Sequence, residues 1–501
     1  MSAPQLDVVV AAPVLAPAIA SVVVLVLDAV APRRRRPAVA VGVLALLTTL
    51  VVAIGLRLRA SAGGEVTTLC LPGDPALAVR DAPGQTASEC LLRVSQSGAL
   101  LQAVAAAAGL AVLLLLSRRL GSAPEQLDSE APARPDPGVE VAMLLATVTG
   151  ANVVAVAHDL GTWLVGLELA TLPIVALAVL RGGTRDSGAL NLVMTSIASF
   201  AIAVVGAGLW VTATGSLRLG GVASWAAGQE PGDRAVLVLG ILLLVVAVGF
   251  KLSLVPFHAW APVTYPRAGV EVTTLLASVS TVAAVGGLVA VVRGAASVHA
   301  VIQPALSVVA VVSMLGGAVL ALRADDPLRL IAWSGVTQGG WILAPLVAGD
   351  TDAAVGYLAV YAVAVVAALA VVAALTPGAP RRLEDDRGLL RRRPVHAAVL
   401  TLALLTLAGL PPGVAGLLAK FMALRPLADE GLWWVALPAV VAAVLGLAVY
   451  LRWVALLLLP AEDHGAPEEV DRTATLVAVS AGLVLLGATC VPVLLLGAGT
   501  S

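Results

Sequence analysis

Long apolar blocks parted by short polar joints set the pattern of this chain. Blocks long enough to cross a bilayer lie at about 8–28, 38–56, 98–117, 140–157, 160–180, 188–213, 235–256, 268–292, 299–322, 328–348, 353–376, 395–424, 432–459 and 473–497. The pattern predicts fourteen membrane-spanning helices. Arginines crowd every second joint, with blocks at Arg33–Arg36, at Arg118 and Arg119, and from Arg381 to Arg393. The alternate joints carry fewer, among them Arg57, Arg80, Arg218 and Arg293. The positive-inside rule then places the N-terminus outside, and an even number of spans returns the C-terminus to the same side. No basic residue precedes the first apolar stretch and a basic block follows it, which is the order of a retained first helix rather than a cleaved signal.

Two joints are long. Residues 58–97 form a polar outside segment holding Cys70 and Cys90, where oxidising conditions permit a bridge; the alternative is two unpaired thiols. Residues 118–139 are charged and proline-rich and read as a flexible inside linker. Cys490, in the last block, reads as ordinary packing. Two blocks combine a lysine with proline: Lys251 precedes Pro256, and Pro411 and Pro412 precede Lys420. Proline removes a backbone donor and breaks a helix, which a membrane tolerates only where the freed carbonyls face protein or water. Paired broken helices in two halves point to an internally repeated transporter.

Composition agrees with the blocks. Hydrophobic residues make up 59% of the chain, charged residues 12%, and mean hydropathy is +1.00. That balance excludes a soluble domain, and no basic, aromatic-interleaved patch suggests nucleic acid. No CxxC pattern, haem-type histidine pair, phosphate-binding glycine loop or hydrolase motif is present, so electron transfer would belong to a partner.

The charges inside the blocks carry the chemistry. Lys251 and Lys420 are the chain's two lysines, and every other basic residue except histidine is arginine. Arginine keeps its charge in any protein setting, whereas lysine can release a proton when desolvated. Glu168 lies deep in TWLVGLELATLPIVALAVL, where an unpaired acid costs at least ~2.5–3.5 kcal/mol. Its natural partner is Lys251 on another helix, either as a proton-handling pair or as a static ion pair. Lys420 has no evident acid in its own half and reads as functional or as snorkelling beside Arg425. His258 could relay protons near neutral pH or be a structural histidine lining the helix break, and Glu271 is a second relay or an interfacial side chain. Glu140 and Arg452, near span ends, read as snorkelling residues.

Four segments resemble one family. GFKLSLVPFHAWAPVTY is similar to the signature of the proton-pumping membrane subunits of respiratory complex I and of Mrp-type cation/proton antiporters. LVGLELATLP resembles the family's fifth-helix segment with its essential glutamate. ALRADDPLRLIAWSGVTQGGWIL resembles the stretch where a basic loop leads into a helix ending near a G-Y or G-F pair, and LAGLPPGVAGLLAKF resembles the broken twelfth helix ending in G-K-F. These run in family order from about residue 140 to 425, and the length and motif set most resemble subunit N.

The resemblance implies an all-α polytopic fold of about 14 spans, with two inverted five-helix repeats and broken helices 7 and 12. It divides the chain into three N-terminal spans with the cysteine loop (1–139), two antiporter-like repeats (140–298 and 299–459) and a C-terminal span (460–501). It implies a proton-translocating, non-redox subunit of an NADH:quinone oxidoreductase in a bacterial-type plasma membrane. NADH, FMN, iron–sulfur clusters and quinone would lie in partner membrane and peripheral subunits, and no cofactor in this chain. Alternatives are an Mrp-type antiporter or membrane-bound hydrogenase subunit, or a structural subunit that kept only the fold. Glu168, Lys251 and Lys420 match the family's proton-transfer positions. Three positions depart: Asn191 and Thr281 stand where lysine is common, and Gln338 where histidine is. The central relay is thus expected to lean on water held by Thr281, Ser280 and Gln338.

Overall fold

A computed structural model describes residues 6–31, 35–71, 89–118, 136–182, 187–220, 231–375, 381–460 and 470–496. Residues 72–88 of the outer loop, 119–135 of the expected linker, and the joint arginines Arg33, Arg34, Arg80 and Arg119 lie outside the described residues.

The helices in chain order are α1 (Val8–Val30), α2 (Arg35–Gly63), α3 (Gln96–Arg118), α4 (Pro137–Val154), α5 (Leu160–Leu169), α6 (Leu172–Gly182), α7 (Ser187–Thr214) and α8 (Pro231–Lys251). There follow α9 (Ala261–Leu275), α10 (Thr281–Gly294), α11 (His299–Ala321), α12 (Pro327–Val347), α13 (Thr351–Leu375) and the short α14 (Leu389–Arg392). The last are α15 (Pro394–Ala408), α16 (Val414–Asp429), α17 (Trp433–Leu458), α18 (Arg472–Cys490) and α19 (Val493–Leu496). Among the described residues, thirteen helical stretches are long and apolar enough to cross a membrane. The remaining expected span, the twelfth at 395–424, is two short helices, α15 and α16, because the Pro411–Pro412 pair cannot continue α15.

A similar interruption ends α8 at Lys251. A 3₁₀ turn, Phe257–Trp260, resumes the helix, and Gly269, at φ 80°, bends it again inside α9. The seventh span is therefore α8 plus the stretch up to Gly269, and the eighth runs from Gly269 through a π-turn, Leu276–Ser280, into α10. The fifth span is also broken, at Ala170 and Thr171 between α5 and α6, which the sequence reading did not anticipate. Pro173 accounts for it, since it cannot donate to the Leu169 carbonyl four residues back.

The stretches Phe257–Gly294 and Thr351–Leu375 are the most enclosed and form the centre of the bundle. Around them α1, α2, α7 and α17 turn large apolar side chains outward, among them Val22, Leu44, Ile197 and Val444. Water would penalise such faces and lipid tails accept them. Cys490 also faces outward, so it is not interior packing as expected.

The outer segment contains the antiparallel pair β1 (Val66–Leu71) and β2 (Glu89–Val94). Its register sets Cys70 directly opposite Cys90, and the two sulfurs are bonded. We expect non-reduced protein to yield one linked peptide pair by mass spectrometry. Alkylation of both cysteines in freshly isolated, unreduced membranes would contradict the bond.

Candidate proton-transfer site

The site begins at the break in the fifth span. Glu168 sits at the end of α5 and Thr171 in the turn that follows. Gly150 of α4 lets this turn come close: a Cβ there would lie 2.2 Å from the Ala170 nitrogen and 2.6 Å from the Gly166 oxygen. Lys251 arrives from the end of α8, where the helix stops within the seventh span. Its ammonium donates to Glu168 Oε1 at 3.1 Å and to Thr171 Oγ1 at 2.7 Å. The side chains are 7% and 13% exposed for Lys251 and Glu168, so water screens the pair weakly. Side chains bond to the backbone on both sides of the α8 break. Trp260 Nε1 donates to the Phe250 carbonyl at 2.8 Å, and Ser313 Oγ accepts from the Val255 amide at 2.9 Å.

Lys251 separates two small cavities. One, of about 20 Å³, is lined on its polar side by Thr171, Thr195, Ser196, Ser199 and Ser280. The other, of about 10 Å³, is bounded by Lys251, Ser253, Tyr265, Thr281, Tyr361 and the glycines Gly335 and Gly339. Each is near the size that holds a single water molecule. Thr281 therefore stands on the wall beside Lys251, its hydroxyl donating to the Leu276 carbonyl at 3.1 Å.

The second break supplies the other end. In α15 the carbonyls of Leu407 and Ala408 would accept from residues 411 and 412, but both are proline. Two side chains take those places. Gln338 Nε2 donates to Leu407 O at 3.2 Å, and Lys420 Nζ to Ala408 O at 2.7 Å. Lys420 also lies 5.3 Å from the centroid of the Trp341 ring, a cation–π contact. It is 7% exposed, which overturns the snorkelling alternative: its ammonium turns inward to the broken helix, not out to the interface.

Between the lysines runs a hydroxyl network that sequence reasoning missed. Tyr357 donates to Gln338 Oε1 at 2.5 Å, Gln338 Nε2 donates to Tyr450 at 2.9 Å, and the Tyr450 and Ser334 hydroxyls are 2.6 Å apart. The chain has four tyrosines, Tyr265, Tyr357, Tyr361 and Tyr450, and all are buried in this region. Their scarcity was the one available signal.

The remaining named residues lie elsewhere. His258 is half-buried on the 3₁₀ turn, its ring 5.4 Å from that of Trp333. Glu271 is fully buried, not interfacial: the bend at Gly269 turns it inward onto Arg118 at 2.6 Å and Arg181 at 3.1 Å. Arg181 grips Glu140 through two bonds of 3.0 Å, so Glu140 is ion-paired rather than snorkelling. Arg452 likewise turns into the protein, donating to the carbonyls of Leu322, at 2.5 Å, and Ala324 just beyond α11. Among the described residues, no group of three or more His, Cys, Asp or Glu side chains could hold a metal ion.

The chain is similar to known proteins along much of its length. The family model described as NADH:quinone oxidoreductase/Mrp antiporter, TM, matches residues 157–446. NADH-quinone oxidoreductase subunit N of Salinispora tropica is 41% identical over 333 residues, 63% of this chain and 64% of that protein. Subunit N of Deinococcus radiodurans is 36% identical over 359 residues, 69% of this chain and 72% of that protein. The match spans just under two thirds of the Salinispora tropica relative's length. Among solved structures, a chain of respiratory complex I from Thermus thermophilus with bound aureothin superposes with a TM-score of 0.76 at 26% identity, covering 97% of this chain and 98% of that one. A chain of the Mrp complex from a Dietzia species gives 0.80 at 21% identity, covering 98% and 96%, a likeness of fold alone.

The close approach at Gly150 makes a testable demand. Gly150→Ala should force α4 and the Glu168 turn apart, an overpacking cost of about 1–3 kcal/mol. The detergent-extracted protein should melt at a lower temperature. Gly208→Ala, where an added Cβ meets nothing within 4 Å, should leave melting unchanged or raised. Equal melting of the two variants would contradict the packing described.

Proposed function

The chain belongs to the NADH:quinone oxidoreductase/Mrp antiporter transmembrane family, and we propose that it is the proton-translocating, subunit N-type member of the membrane arm of an NADH:quinone oxidoreductase. It is a multi-pass membrane protein, placed in this reading in a bacterial-type plasma membrane with both termini outside. NADH, FMN, iron–sulfur clusters and quinone belong to partner subunits, and this chain contributes no redox step.

The observation that carries the reading is the Glu168–Lys251 pair, buried at a helix break with a water-sized cavity on each side. With the pair closed, the carboxylate and Thr171 hold the ammonium. Quinone reduction in partner subunits supplies the energy to separate the two. The ammonium then loses its counter-charge in a poorly solvated place, and its proton passes toward the centre. Lys420, held at the second break, receives a proton and returns it outward. Thr281 and Gln338 take the places of titrating groups between them. Neither titrates in a useful range, so the transfer leans on water and hydroxyls. The 41% identity to a named subunit N favours this reading over an Mrp-type antiporter, for which the likeness is of fold.

Lys251→Ala should abolish proton pumping in vesicles while the complex stays assembled. Lys251→Arg should fail equally, because guanidinium keeps its proton. Near-normal pumping by the arginine variant would overturn the proton-cycling role and leave a static pair.

A further inference from the structure

Among the described residues, the centre of the bundle has no lysine or histidine side chain between Lys251 and Lys420, yet it holds all four tyrosines of the chain. Tyr357 and Tyr361 stand one turn apart on α13, and Ser334 and Gln338 one turn apart on α12. The 2.5 Å bond from Tyr357 to Gln338 shows that these faces meet. Tyr361 shares with Lys251, Tyr265 and Thr281 the cavity of about 10 Å³. Gly335 forms part of the same wall. A Cβ built on it would meet nothing within 4 Å except the Tyr361 hydroxyl, at 3.6 Å. The next residue along α12 toward its start is Ser334, paired with Tyr450 at 2.6 Å.

We infer that Tyr361 passes the proton from the Lys251 cavity to the Ser334–Tyr450 pair, and that Gly335 keeps open the space for the water joining Lys251 to Tyr361. The inference rests on the proton-translocation reading above. The cavity is about one water in size, and the ammonium with the side chains of Ser253, Tyr265, Thr281 and Tyr361 on its wall offers that water the two to four polar partners it needs. A phenol both donates and accepts, so it can relay without a net change of state. The ammonium gives a proton to the water, and the water passes one of its own to the Tyr361 oxygen. As that O–H bond forms, the original phenol proton leaves for the next hydroxyl oxygen. The receiving hydroxyl of the Ser334–Tyr450 pair releases its own proton onward toward Lys420 in the same way. Each transfer thus makes one bond to hydrogen and breaks one, the water and the hydroxyls end as they began, and Lys251 is left neutral.

Gln338 does not serve as this relay. Its amide N–H groups are committed to Leu407 and Tyr450 and its oxygen to Tyr357, and passing a proton through it would require an imidic acid. Its contacts hold the Tyr357 hydroxyl on Gln338 Oε1 and leave the Tyr450–Ser334 bond able to run in either direction. With a lone pair of Tyr450 already occupied by Gln338, the Tyr450 proton is free to face Ser334.

The test compares Tyr361→Phe, Gly335→Ala, Gly335→Ser and Lys251→Ala in the assembled complex in vesicles. The readout is the rate of proton movement across the vesicle membrane per assembled complex during quinone reduction. Tyr361→Phe keeps the ring and loses only the hydroxyl. Gly335→Ala places a methyl where the water would sit, at ordinary contact distance, in a helix interior that favours alanine. Both should slow pumping about a hundredfold or more, the low end of what a positioned proton-transfer group contributes. Gly335→Ser has nearly the bulk of alanine but puts an oxygen in the water's place, so it should pump faster than Gly335→Ala. Wild-type pumping by Tyr361→Phe, or equal rates for the alanine and serine variants, would overturn the inference. Lys251→Ala separates the two levels. If it blocks pumping while Tyr361→Phe does not, only the tyrosine relay fails; if it pumps normally, the proton-translocation reading fails.

Discussion

Inside a bilayer no polar group can borrow water, so each one that the chain exposes must find a partner in the protein. The organisation of this site follows from that constraint. Proline interrupts three spans, and each interruption strands backbone groups at membrane depth. At the α15 break the stranded carbonyls of Leu407 and Ala408 collect Gln338 and Lys420, which ties the second lysine to its place. At the α8 break Trp260 and Ser313 bond to the backbone on either side, leaving the Lys251 ammonium for Glu168 and Thr171. The breaks create the polar interior, and the charged residues are held by what the breaks leave open.

The two buried ionic arrangements differ in how they are built. The Arg118–Glu271–Arg181–Glu140 cluster joins four helices with several charge-assisted bonds, and Arg118 also reaches the Ala373 carbonyl. Removing one partner from such a cluster costs about 3–5 kcal/mol, which suits a clamp at the helix ends. The Glu168–Lys251 pair has one ionic bond and one hydroxyl contact, and open space lies on both sides of the lysine. Fewer bonds hold it, and room exists to move. The same desolvation that makes a buried pair a poor net stabiliser makes this one responsive to a small displacement.

Much of this could be read from the residues. Apolar blocks gave the spans, and the depth of Glu168, Lys251 and Lys420 singled them out, because a charge at mid-membrane is costly enough to need a reason. Pro256 and the Pro411–Pro412 pair marked two of the breaks. Pro173 did not stand out, since a proline two residues into a helix is ordinary, and its effect depends on how Gly150 of α4 packs there. Arg118 looked like a joint arginine because it closes an apolar block, and Arg181 stands in the same position at the end of the fifth block; only the fold turns them onto Glu271. The tyrosine network was illegible for a similar reason. Tyr265, Tyr357, Tyr361 and Tyr450 come from three helices, and nothing in their spacing announces that they converge.

The central claim is that the Glu168–Lys251 pair opens and closes during turnover rather than standing as a fixed tie. Infrared difference spectroscopy of the assembled complex, comparing resting and turning-over states, reads it most directly. The account predicts a carboxylate band change in the wild type that disappears in Glu168→Gln. Identical difference spectra for the two would mean that Glu168 keeps one environment throughout, and would contradict the account.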